Sequence, residues 1–110
     1  MTISKLTDDL KISSMKELIS PRELIEALPM SQGAIDTVVQ TRNEIINILN
    51  RTDKRFLLIV GPCSIHDIKA ASEYAQRLLE LKNKVKDNIL VVMRVYFEKP
   101  RTVIGWKGLI

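Results

Sequence analysis

Phe56–Leu57–Leu58–Ile59–Val60–Gly61–Pro62–Cys63–Ser64–Ile65–His66–Asp67 is the stretch on which the fold turns. Its first five residues are apolar without alternation, the pattern of a strand covered on both faces. Gly61–Pro62 ends the run, and Asp67 is of a type that caps helix N-termini. From there Ala71, Tyr74, Ala75, Leu78, Leu81 and Val85 recur at helical spacing, to about Lys86. A second apolar run, Ile89–Leu90–Val91–Val92–Met93, follows. Strand, helix, strand over roughly 40 residues is a βαβ unit, with parallel strands and a right-handed crossover. Parallel strands end at one edge, so Gly61–Asp67 and Met93–Thr102 are expected to face a common space.

Upstream, Ser20–Pro21–Arg22–Glu23 reads as a helix start: a capping Ser, a Pro suited to the first turn, and a Glu that completes a capping box. That helix runs to about Leu28, because Pro29 cannot continue it. Ser31 opens a second helix with Ile35, Val38, Val39, Ile45, Ile46 and Leu49 on its apolar side and Arg42, Glu44 and Asn47 off it. It ends in the polar connector Asn50–Asp53. In residues 1–19 the spacing of Leu10, Ile12, Met15 and Leu18 fits neither helix nor strand, which reads as an arm. From Phe97 onward there is no period, and a long loop is expected. The division is then 1–53, arm and helices, and 54–110, the first βαβ unit with its following loop. Two parallel strands and three helices cannot cover both faces of a sheet. The chain is therefore expected to be the first third of an α/β protein, cut before the remaining strands.

The chain has 110 residues, 45% apolar and 27% charged, which is a globular balance. No apolar run approaches the ~20 residues that span a bilayer. The opening leads into Asp8 and Asp9 rather than an apolar signal region, so a cytoplasmic location is expected. The single cysteine, Cys63, fits a reducing compartment. Of the net charge of +4, three units lie from Arg94 onward, in Arg94, Lys99, Arg101 and Lys107 against Glu98. A nucleic-acid binder would show a basic stripe with interleaved aromatics. A compact cluster of cations favours a small anionic ligand over nucleic acid, and a solvated basic loop is the plain alternative.

Cys63 falls at the C-terminal end of the first strand, the edge at which parallel α/β folds bind ligands. A thiol there is a nucleophile, a metal ligand or a small packed residue. His66, the only imidazole, caps or packs locally on the simplest reading, and one Cys and one His three apart do not make a metal site. Arg94 ends the second strand, and its planar fork suits carboxylate and phosphate. Lys99 and Arg101 flank the stiff Pro100, and Thr102 adds a hydroxyl, so Lys99–Thr102 is a candidate anion cradle. Glu98 balances Lys99 or moves a proton. Trp106 and Lys107 read as loop packing and a solvated charge.

Gly61 through Asp67, Met93 through Thr102 and Gly105–Trp106–Lys107–Gly108–Leu109–Ile110 together resemble the type I 3-deoxy-D-arabino-heptulosonate 7-phosphate (DAHP) synthases of bacteria and fungi. The likeness extends over nearly the whole chain, including Asp8–Asp9–Leu10, with Val103–Ile104 where many relatives have Thr–Val. It implies a (β/α)₈ TIM barrel, of which this chain holds the N-terminal helical extension and first βαβ unit. It implies condensation of phosphoenolpyruvate with erythrose 4-phosphate and water to DAHP and phosphate, the first step of the shikimate pathway, with a divalent metal (Mn, Fe, Co or Zn). Cys63 is implied as a metal ligand, Arg94 and Lys99 as the catalytic phosphoenolpyruvate binders, and Arg101 and Thr102 as holding the erythrose 4-phosphate phosphate. Asp8 and Asp9 match an arm that approaches the aromatic amino-acid inhibitor pocket of a neighbouring subunit, which implies a homo-oligomer. The later strands of the family carry the other metal ligands, so the 110-residue chain alone is expected to be inactive. The related 3-deoxy-octulosonate phosphate synthases and a non-catalytic oligomerisation or regulatory module are the competing readings; Ser64–Ile65–His66–Asp67 favours the heptulosonate enzyme over the first.

Overall fold

Ser20 starts the first helix, α1 (Pro21–Ala27), through a reciprocal capping box. The Glu23 backbone N–H donates to Ser20 Oγ at 3.3 Å, and the Ser20 N–H donates to the Glu23 carboxylate at 2.8 Å. The Ser20 backbone N–H, and next the Ser20 side chain, hold the Glu23 carboxyl below the usual carboxylate range. The helix closes at Leu28, whose N–H reaches Leu24 O, one residue before Pro29. Residues 16–100 and 109 are described by this computed structural model. The chain divides into two units, Met1–Ile35 and Asp36–Ile110. In the described part of the first unit no residue is buried.

The second helix, α2 (Gln32–Leu49), begins as the sequence predicts: Ser31 Oγ accepts from the Ala34 N–H at 3.2 Å. Its half-buried positions are Thr41, Glu44, Ile45 and Ile48. This face differs from the expected one. Val39, Ile46 and Leu49 are exposed, and Glu44, expected off the apolar stripe, turns inward because it pairs with Arg55 at 3.2 Å. Arg51 closes the helix with φ of 62°, in the left-handed region. There the Thr52 N–H reaches Asn47 O and the Arg51 N–H reaches Ile48 O, satisfying the last carbonyls.

The strands β1 (Phe56–Val60) and β2 (Ile89–Met93) pair in parallel, with Phe56 opposite Ile89 and Val60 opposite Met93. They are joined by α3 (Ile68–Val85), capped by Asp67, whose carboxylate accepts from the Ala70 N–H at 2.9 Å. The face of α3 that packs toward β2 is Ala71, Tyr74, Ala75, Leu78, Lys82 and Val85. Leu81 is exposed, and Lys82 is half-buried in its expected place, as a long side chain with an aliphatic stem allows. Leu90 and Val91, on opposite faces of β2, are buried, each contributing about 2 kcal/mol by removal from water. With Ile65 they form the buried core of the described residues. The sequence pattern predicts double coverage for β1 as well, but Phe56, Leu58 and Ile59 are 78, 41 and 62% exposed. The reason is topological: among the described residues β1 has β2 as its one neighbouring strand, and α3 packs on β2.

At the N-terminal edge of the strands Arg55 ties three segments together. Its guanidinium meets Asp53 at 2.7 Å and Glu44 at 3.2 Å, and donates to Lys86 O at the end of α3. The Arg55 side chain, and next its backbone N–H, hold the Asp53 carboxyl below the usual range.

Candidate active site

The parallel register brings the Gly61–Asp67 and Arg94–Pro100 segments out at the same C-terminal edge. The Arg94 N–H extends the ladder by one bond, donating to Val60 O at 2.8 Å. At this point the backbones crowd. A Cβ added to Gly61 would collide with the Arg94 carbonyl oxygen and stand 3.0 Å from both Arg94 Cβ and Arg94 N. Only glycine allows the two segments to run this close.

The closeness is used at once. Arg94 Nε donates to Pro62 O at 3.2 Å, and Nη2 donates to Gly61 O at 3.2 Å and Pro62 O at 3.0 Å. One guanidinium thereby holds the carbonyls of the turn that precedes Cys63. A little further along, the Ile65 N–H donates to Tyr96 O at 2.6 Å. Ile65 is 6% exposed, so this second tie is anchored in the core. Cys63 is exposed at the mouth, and Lys99 Nζ donates to its Sγ at 2.8 Å. The residues expected to share a space, Cys63, Arg94 and Lys99, therefore do share one. His66 is exposed beside them and lines a small cleft with Pro62, Ile65 and Tyr74.

The spacing argument missed Tyr96. Its ring lies 5.4 Å from Arg94 Cζ and 5.6 Å from Lys99 Nζ, measured to the centroid. The available signal was the i, i+2 relation of Arg94 and Tyr96, which places both on one side of an extended segment. Asp8, Asp9, Arg101, Thr102, Trp106 and Lys107 lie outside the described residues.

Among the described residues there is no group of three or more His, Cys, Asp and Glu side chains placed to hold a metal ion. Cys63 is a soft donor suited to zinc, iron and similar ions. It fits as one ligand and does not make a site with its described neighbours. The edge as described presents two cations, an aromatic face and a thiol, an arrangement suited to binding an anion.

A family model, the DAHP synthetase I family, matches residues 28–110. The chain is 54% identical over 103 residues to the Phe-sensitive phospho-2-dehydro-3-deoxyheptonate aldolase of Escherichia coli (strain K12), a match covering 94% of this chain and 29% of that protein. It is 51% identical over 104 residues to the Trp-sensitive aldolase of the same organism, covering 94% and 30%. The solved structure of phospho-2-dehydro-3-deoxyheptonate aldolase from Francisella tularensis SCHU S4 matches with a TM-score of 0.79 at 50% identity, over 90% of this chain and 29% of that one. The chain thus spans less than a third of the length of these relatives.

Proposed function

The chain belongs to the DAHP synthetase I family, and from that premise we propose that it supplies the first substrate-binding edge of a DAHP synthase. The reaction joins C3 of phosphoenolpyruvate to the aldehyde carbon of erythrose 4-phosphate. Water adds at C2, and phosphate leaves by C–O cleavage. Both substrates are anions that repel each other, so fixed cations are what the chemistry needs first. Arg94 and Lys99 would bind phosphoenolpyruvate, Arg94 with its fork held in place by the Gly61 and Pro62 carbonyls. Arg101 and Thr102 would hold the phosphate of the sugar. Cys63 would give one thiolate ligand to a divalent metal (Mn, Fe, Co or Zn), which when bound supplies Lewis-acid polarisation of the aldehyde. β1 and β2 would be the first two strands of a (β/α)₈ barrel, residues 54–110, behind a helical extension at 1–53.

The observation that carries this reading is the meeting of Lys99 Nζ and Cys63 Sγ at 2.8 Å across the ends of two parallel strands. It supports the reading by bringing the cation proposed for phosphoenolpyruvate and the thiol proposed for the metal to one point. Two relatives are named Phe-sensitive and Trp-sensitive. By analogy the whole protein would be restrained by an aromatic amino acid, with Asp8 and Asp9 approaching the inhibitor pocket of a neighbouring copy in a homo-oligomer.

The test is a graft in which this chain replaces the matching segment of the Phe-sensitive E. coli relative. With added divalent metal, the grafted protein is expected to consume phosphoenolpyruvate and erythrose 4-phosphate and release DAHP. Cys63→Ala is expected to weaken metal retention and lower activity by at least about 100-fold, more than loss of an outer-shell partner costs. A folded graft with no turnover, or one preferring arabinose 5-phosphate, would overturn the reading, as would an unaffected Cys63→Ala variant.

A further inference from the structure

We propose that Tyr96 is a positioning residue, whose ring face sets the Arg94 guanidinium and the Lys99 ammonium at the spacing an anionic substrate such as phosphoenolpyruvate requires. The proposal rests on the function proposed above and adds a residue to that site. Both cations lie within the ~6 Å at which a ring quadrupole attracts a cation, at 5.4 Å for Arg94 Cζ and 5.6 Å for Lys99 Nζ. Like charges gathered at one mouth repel, and an aromatic ring close to both offsets part of that repulsion without neutralising either. A carboxylate would also gather them, but it would compete with the anion they are meant to bind.

The residue that carries the ring is itself anchored. Tyr96 O accepts from the Ile65 N–H at 2.6 Å, so its backbone is tied to the loop after β1 and, through Ile65, to the core. Arg94 has three bonds of its own to that loop. Lys99 reaches the site on a flexible four-carbon stem, held by the Cys63 sulfur and the Tyr96 ring. Lys99 therefore depends more on the ring. Tyr96 is 48% exposed, which makes core packing a poor account of a ring that meets two cations.

The experiment uses the active graft, whose turnover tests the function reading separately from this one. Tyr96→Leu is expected to raise KM for phosphoenolpyruvate about 3- to 10-fold, the scale of one or two exposed cation–π contacts, with the change falling on KM rather than kcat. Tyr96→Phe is expected to keep KM within about twofold, because the ring face survives. Progressively fluorinated phenylalanines at position 96 drain the ring face while keeping its shape, and KM is expected to climb with each fluorine. That series stands even where the leucine variant fails to fold. A flat fluorine series, or a Tyr96→Phe variant as impaired as Tyr96→Leu, overturns the proposal while wild-type turnover leaves the function reading intact.

Discussion

At the scale of single residues, the site depends on an absent side chain as much as on those present. Gly61 lets the loop after β1 lie against the Arg94 backbone, and Arg94 then binds the carbonyls of Gly61 and Pro62. Gly61→Ala forces one backbone away from the other. Overpacking of this kind costs about 1–3 kcal/mol. A displacement near 1 Å in a substrate-holding group costs about 100-fold in rate. The expected outcome in the grafted protein is a lower unfolding midpoint together with that loss of kcat/KM for phosphoenolpyruvate. Gly33→Ala is the matched control. A Cβ there meets nothing within 4 Å, and alanine favours helix, so the midpoint is expected to hold or rise. Equal behaviour of the two variants in melting and steady-state assays would remove the close-approach argument.

At the scale of elements, most of the architecture was legible because it rests on local chemistry. The capping Ser20 and Asp67, the stop at Pro29 and the two unbroken apolar runs each name their own conformation, and each is where the sequence puts it. What was not legible depends on partners far along the chain. Glu44 turns inward because Arg55, eleven residues on, reaches back to it, and periodicity carries no sign of that. This Arg55 tie has a pH consequence. The Asp53 carboxyl is held below its ordinary range when folded, chiefly by its hydrogen bond from the Arg55 side chain. A depressed carboxylate contributes stability that is fully present above the ordinary carboxylate range and is lost as pH falls through the depressed value. The unfolding midpoint is thus expected to fall on acidification through that window. In Asp53→Asn part of that acid limb should be missing, with a lower midpoint at neutral pH. Thermal melts followed by circular dichroism across an acid series measure both. An identical acid limb in the variant would show that Asp53 does not carry it.

At the scale of the whole molecule, the decisive facts are about coverage. The βαβ pattern announces a parallel sheet, and the common edge of Cys63, Arg94 and Lys99 follows from it. A barrel is a property of eight such units closing on each other. Two strands contain no information on closure, so that step rests on the family. The same incompleteness is written on the surface. Phe56, Leu58 and Ile59 of β1 are exposed, and an apolar cleft lined by Val38, Ile45, Leu78, Val91 and Met93 lies between helices and sheet. Exposed apolar faces of this extent are where partners or aggregates form. The 110-residue chain expressed alone is accordingly expected to bind a hydrophobic dye such as anilinonaphthalene sulfonate strongly and to self-associate in sedimentation. It should show no turnover of phosphoenolpyruvate with erythrose 4-phosphate at any metal concentration. In the graft the same residues should lose the dye signal and gain activity, because in the proposed barrel further βα units would cover β1 and bring the remaining metal ligands. Turnover by the isolated chain, or a monomer that ignores the dye, would mean that two strands and three helices suffice where the topology says they do not.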